Sequence, residues 1–233
     1  MRNANLTHPA GISSIASDMS IKLTRSLLTG GVIGGPIYIV TALIQGFTRP
    51  GFDLLHHDVS LLSNGELGWI QIANFLVTGL LVIAGAVGMR RVIQGSRGGT
   101  WGPLLIGLYG LGLIGAGIFI ADPMNGFPPG TPADAHNISS HGLMHLVTGG
   151  LGFIALIAAC FVFARRFASL GQSPWAVYSA ATGVIFFASF AGIASGSNQA
   201  PIVIGFWIGV ILAFAWISVM SLRLMAGLSN FNG

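Results

Sequence analysis

Six apolar runs, each about 20 residues long and each closed by a polar or Gly/Pro-rich segment, constrain this chain more than any other feature. They fall at 27–47, 68–89, 101–121, 141–164, 175–195 and 202–222. A helix needs about 20 apolar residues to cross the hydrocarbon core of a bilayer, so each run is long enough for one crossing. Charged residues make up 7% of the chain. A soluble domain carries about 25%, so a soluble surface could not be covered, whereas a lipid-facing one needs no such cover. The expected fold is all-α: a polytopic membrane protein, a bundle of six transmembrane helices. The chain divides into a polar N-terminal tail, 1–26, a single six-helix transmembrane domain, 27–224, and a short tail, 225–233. The first 26 residues hold no apolar core, so a cleavable signal peptide is not expected and the first span itself directs insertion.

Lysine and arginine set the orientation, because they are retained on the cytoplasmic side. Arg2, Lys22 and Arg25 precede the first run, and Arg90, Arg91 and Arg97 separate the second and third. Arg165 and Arg166 separate the fourth and fifth, and Arg223 closes the sixth. If the spans alternate, these nine share a side and only Arg49 lies opposite. Both termini are then cytoplasmic, as in a multi-pass protein of the cell membrane. The net charge of +4 does not point to nucleic acid, since the basic residues sit singly or in pairs at span ends with no aromatics interleaved. The partner it implies is the lipid bilayer. Trp69, Trp101 and Trp175 each open a span, where an indole prefers the interface.

Within the spans, glycines recur at helical spacing, as in Gly30/Gly34, Gly31/Gly35 and Gly205/Gly209, which suits close helix packing in lipid. Pro36 is expected to kink the first span. No Asp, Glu, Lys or Arg lies mid-span, which argues against a proton pump. Gln45, Gln71, Asn74 and Thr148 are expected to hydrogen-bond between helices. Cys160 is the only cysteine and makes no intrachain disulfide.

The chemistry-bearing residues gather at the other face. Five of the six acids (Asp53, Asp58, Glu66, Asp122, Asp134) and five of the six histidines (His56, His57, His136, His141, His145) lie in the two long outer loops or at the adjoining mouth of span four. His141 and His145 are four residues apart, one helical turn, so both rings face one way and are in reach of one ion. His57, Asp58, Ser60, Asp122 and His136 lie at the same level and complete a candidate ligand pocket with them. His141, His145 and Asp122 form a candidate metal set, for which a divalent ion such as zinc is the fitting cofactor. Against the metal stands a structural use: a histidine hydrogen-bonding a loop carbonyl or capping a helix. A Ser–His–Asp triad drawn from Ser60 or Ser63 with His56, His57 and Asp58 lacks a nucleophile-elbow pattern. A weak repeat pairs His57-Asp58-Val59-Ser60 and a later Phe75-Leu76-Val77-Thr78-Gly79 with His136-Asn137-Ile138-Ser139 and His145-Leu146-Val147-Thr148-Gly149. It is expected to set the two outer loops side by side.

Several of these stretches together resemble a known family. They are Arg49-Pro50-Gly51-Phe52-Asp53, His57-Asp58-Val59-Ser60-Leu61-Leu62 and Leu67-Gly68-Trp69-Ile70-Gln71-Ile72-Ala73-Asn74-Phe75, then Asp122-Pro123, Gly126-Phe127-Pro128-Pro129-Gly130-Thr131-Pro132 and His141-Gly142-Leu143-Met144-His145. The family is the bacterial membrane family called domain of unknown function 998, and the likeness runs over about residues 30–224. Many members carry proline where this chain has Asp58. The resemblance implies a six-helix bacterial membrane protein, and so the bacterial inner membrane as its place, and no established activity. Three functional readings stay open: a binding protein for a small ligand, lipid or partner through the His/Asp-lined outer pocket; a metal-dependent hydrolase of a lipid or amide at the outer leaflet; and a carrier of an uncharged substrate. The second draws on a loose similarity to the membrane hydrolases related to alkaline ceramidase, which have seven spans and carry their His-x-x-x-His late in the chain.

Overall fold

The computed structural model describes residues 10–135 and 137–229. Six α-helices are long and apolar enough to cross a membrane: α1 Ala10–Thr48, α2 Gly68–Ile93, α3 Trp101–Ile118, α4 Ser140–Ser169, α5 Ser173–Ala194 and α6 Ala200–Ser229. No strand occurs among the described residues. The chain is therefore an all-helical, multi-pass membrane protein in contact with the lipid bilayer.

Most helices outrun their apolar windows because a helix can project beyond the hydrocarbon. The largest difference is at α1, which begins at Ala10, well ahead of the apolar run at 27. Its polar stretch is held against α2: Arg91 Nε donates to Thr24 Oγ1 at 2.9 Å and Arg91 Nη2 to Ser20 Oγ at 2.9 Å. Hydropathy carries no signal for such a segment. α1 continues through Pro36 and stops where Pro50 follows. α2 stops before Gly95, whose φ of 76° is a left-handed value that suits glycine.

Each helix packs on the next in sequence, and α6 returns against α1, so the six form a closed ring. Glycines set the seams, because without hydrophobic driving force in lipid, close backbone approach supplies the contact energy. A β-carbon on Gly79 of α2 would lie 2.7 Å from the Gly110 carbonyl oxygen of α3; one on Gly112 of α3 would lie 2.8 Å from Gly152 Cα of α4. Gly31 and Gly35 meet α6 at Ser221 and Phe214, and Gly30 and Gly34 meet α2. Of the Gly205/Gly209 pair only Gly209 is tight, against Ser189; Gly205 has nothing near it.

The middle of the ring is filled by aromatic rings in edge and tilted contact: Tyr38 on Phe214, Phe214 on Tyr109, Tyr109 on Phe153, and Phe153 on Phe186 and Phe206. Large apolar side chains on the outward faces, such as Phe47, Leu80, Leu151 and Val177, are exposed, as a lipid-facing surface requires. A polar ladder joins α1 and α2 inside the bundle. Gln45 Nε2 donates to Gln71 Oε1 at 2.9 Å, Asn74 Nδ2 to the Tyr38 carbonyl at 3.1 Å, and Gln71 Nε2 to Tyr38 Oη at 3.4 Å. Gln45, Gln71 and Asn74 thus bond between helices as the sequence predicts. Thr148 does not: its hydroxyl donates to Met144 and His145 carbonyls of its own helix, back-bonding that a threonine makes without a neighbour.

Candidate functional site

The connections 49–67, 119–139 and 195–199 emerge at one end of the ring and lock into a cap. Phe127 is its plug. It is 1% exposed, packs edge-on to Phe52 at 5.1 Å and lies 5.5 Å from the His57 ring. The Arg49 guanidinium sits 5.0 Å above the Phe127 ring. Arg49 is 8% exposed and meets no carboxylate; Nη1 and Nη2 instead donate to the carbonyls of Leu62 and Asn64. Burial pulls its pKa below the usual guanidinium value, but a guanidinium stays charged in a protein. The cation is thus held by two carbonyl dipoles and a ring face.

His57 is buried and ties the first loop to the second. Its Nδ1 accepts from Asp53 N–H at 2.9 Å, so the proton resides on Nε2, which donates to the Asn125 carbonyl at 2.9 Å. The Trp207 indole of α6 donates to the His57 carbonyl at 3.2 Å. Asn125 carries a left-handed φ of 55°, which asparagine tolerates; this turn aims its carbonyl at His57. Asn198, in the connection 195–199, reaches Asn125 Oδ1 at 3.3 Å. The two long loops therefore touch, as the shared motif predicts. His136 lies outside the described residues.

The other predicted site residues take separate stations. Asp58 caps a 3-10 turn, Val59–Ser63, by accepting from Ser60 N–H at 2.8 Å. Ser60 lies in that turn, and its carbonyl accepts from Ser63 Oγ at 2.7 Å. Asp53 accepts from Leu55 N–H at 2.8 Å and pairs with His56 at 2.7 Å. The His56 hydrogen bond, then that from Leu55, hold the Asp53 carboxyl below its usual range. At the mouth of α4, Ser139 caps the helix by accepting from Gly142 N–H at 3.0 Å. Asp122 braces that cap, its oxygens accepting Ser139 N–H at 2.8 Å and Ser139 Oγ–H at 2.6 Å. In the repeated motif the capping job thus falls to Asp58 in one copy and Ser139 in the other. A carboxylate at a helix N-terminus also meets the positive end of the macrodipole.

His145 is buried, and its Nδ1 donates to the α3-end carbonyls of Phe119 at 2.8 Å and Ala116 at 3.0 Å. It closes the C-terminus of α3, the structural use the sequence left open. His141 is exposed and packs edge-on against Phe119 at 5.8 Å. Among the described residues no three of His, Cys, Asp and Glu converge as ligands of one ion. His57 has no lone pair to give, and His145 keeps only Nε2.

What the structure assembles instead is an open cleft of about 480 Å³ in the second loop, lined by Asp122, Thr131, Asn137, Ser139 and the apolar Pro123, Pro132 and Ile138. Asp122 is the predicted site residue that lines it. Sequence reasoning placed Arg49 and Phe127 in stretches that resemble the family but gave neither a structural role, and it missed Asn125 and Trp207, for which no motif chemistry exists.

The family described as "Protein of unknown function (DUF998)" matches residues 32–223, and the chain belongs to it. No curated protein and no solved structure matches.

Proposed function

For this member of a family without an assigned activity, we propose a binding role at the outer face of the cell membrane: the cap takes up a small polar ligand or a lipid headgroup that carries amine or hydroxyl donors. In this reading the protein sits in a bacterial inner membrane with both termini cytoplasmic. The observation that carries it is the Asp122 cleft. Each Asp122 oxygen accepts one hydrogen bond from Ser139, and a carboxylate oxygen has a second lone pair to offer. Thr131, Asn137 and Ser139 add donors and acceptors round a volume of about 480 Å³, a size that suits small-molecule sites. The cleft is mounted on a cap pinned at Arg49, His57 and Phe127, so its shape is set before a ligand arrives. The donor pattern gives the hydrolase no comparable support, since His57 and His145 spend ring nitrogens on backbone carbonyls and amides.

The experiment is a thermal-shift screen of the purified full chain in nanodiscs against amines, polyols and headgroup analogues, repeated with Thr131→Trp, which fills the cleft and leaves the Ser139 cap alone, and with Asp122→Asn. The expected result is a ligand that raises the unfolding temperature of the wild type and loses its effect in both variants. A screen without a stabilising compound, or a shift that survives Thr131→Trp, sinks the proposal.

A further inference from the structure

At the opposite end of the ring, a second cavity of about 690 Å³ opens between the ends of α2, α4, α5 and α6. We propose that it holds an anionic phospholipid, with the phosphate against Arg223 and Arg166 and an acyl chain along the apolar wall. The site is remote from the cap and shares with the reading given above only the orientation that puts the arginine-bearing end in the cytoplasmic leaflet.

Both arginines line the cavity. Arg223 of α6 lies over the Trp175 ring at 4.2 Å and near the Phe167 ring at 5.5 Å, and its Nη2 donates to Gln172 Oε1 at 2.9 Å. Arg166 of α4 donates through Nη1 to Ser96 Oγ at 2.6 Å and to the Arg97 carbonyl at 2.8 Å. Neither meets a carboxylate: the ion pair among the described residues is His56 with Asp53, at the other face. Two oriented guanidinium groups, their stems fixed by stacking and by neutral acceptors, keep N–H donors for a planar, multidentate anion such as a phosphate. Apart from Gln172, the remaining wall, including Phe163, Val219, Met220 and Leu224, is apolar. A soluble phosphate ester would leave that wall unfilled; an acyl chain fills it. Trp175 opens α5, and an indole at a span end marks the headgroup level. Basic pockets between helix ends on the arginine-bearing side face the leaflet rich in anionic lipid.

The test uses native mass spectrometry of the full chain released from mixed micelles of phosphatidylglycerol and phosphatidylcholine with identical acyl chains. The wild type is expected to retain about tenfold more phosphatidylglycerol. Arg223→Gln and Arg166→Gln should each remove most of that preference. Arg165→Gln, the same charge loss on the neighbouring exposed residue, should leave it intact. Val219→Trp keeps both arginines and blocks the acyl wall; it should lower retention of either lipid, with circular dichroism confirming helix content. Equal retention of the two lipids by the wild type overturns the proposal. So does an Arg165→Gln loss matching that of Arg223→Gln, a Val219→Trp protein that binds like wild type, or displacement of the lipid by glycerol phosphate, which would make the occupant a soluble ester.

Discussion

Arg49 illustrates how much a residue's chemistry depends on closure of the loops around it. Sequence marks it as the basic residue on the wrong side of a nine-to-one division. In the folded cap it is a buried cation whose fork spans the carbonyls of Leu62 and Asn64 while its face lies on Phe127. A lysine carries one compact ammonium and cannot span both carbonyls and stack at once. Arg49→Lys is therefore expected to lower stability by about 1–3 kcal/mol, the cost of leaving a buried acceptor unpaired. Chemical unfolding in detergent, followed by circular dichroism, measures this, and a lysine variant that unfolds with the wild type would show that the fork is dispensable. The histidines teach the same lesson. Their clustering at one membrane level was legible, because it follows from position along the chain. Their partners were not, because His57 and His145 bond to backbone atoms of Asp53, Asn125, Ala116 and Phe119, and a backbone carbonyl has no residue-type signature. The burial of Phe127, which lies in one of the stretches that resemble the family, was silent for a related reason: a lone aromatic in a loop has no period to reveal it.

Among the helices, existence and order were legible from hydropathy because a bilayer imposes one length on every span. Which glycines form seams was only half legible. Spacing marks a face of small residues but not whether a neighbour lies on it, so Gly205 and Gly209 look alike in sequence while only Gly209 is in contact. The Gly79–Gly110 seam between α2 and α3 is tight against backbone, which cannot rotate away. Gly79→Ala puts a β-carbon 2.7 Å from the Gly110 carbonyl oxygen and is expected to cost about 1–3 kcal/mol through forced backbone displacement. Gly149→Ala, on an α4 position with nothing within 4 Å, is the matched control; helix propensity alone favours it by up to about 1 kcal/mol. Thermal unfolding of both proteins in one detergent decides the matter. Equal stability of the two variants would mean that the α2–α3 seam opens at no cost.

Over the whole molecule, the ring of helices has two unlike ends, and their assignment to the two sides of the membrane rests on charge. One end carries Arg90, Arg91, Arg97, Arg165, Arg166 and Arg223; the other carries Arg49 with five acids. Retaining arginine on the cytoplasmic side during insertion favours one orientation, whereas acids weigh little. Arg49 does not overturn the rule, since it is one basic residue against nine, and in the folded cap its charge is held by carbonyl dipoles and not left free on the surface. The prediction is that the cap faces outward. Single cysteines replace exposed residues: Glu66→Cys and Asp134→Cys in the cap connections, Gln94→Cys and Ser169→Cys at the other end, all with Cys160→Ala. Cys160 is itself buried, so the background is silent. An impermeant maleimide should label Glu66→Cys and Asp134→Cys in intact cells, and Gln94→Cys and Ser169→Cys only after permeabilisation. The reverse pattern would turn the molecule over. It would place the Asp122 cleft in the cytoplasm and the Arg223 groove in the outer leaflet, where the supply of anionic lipid, and with it the chemistry available to each end, would be different.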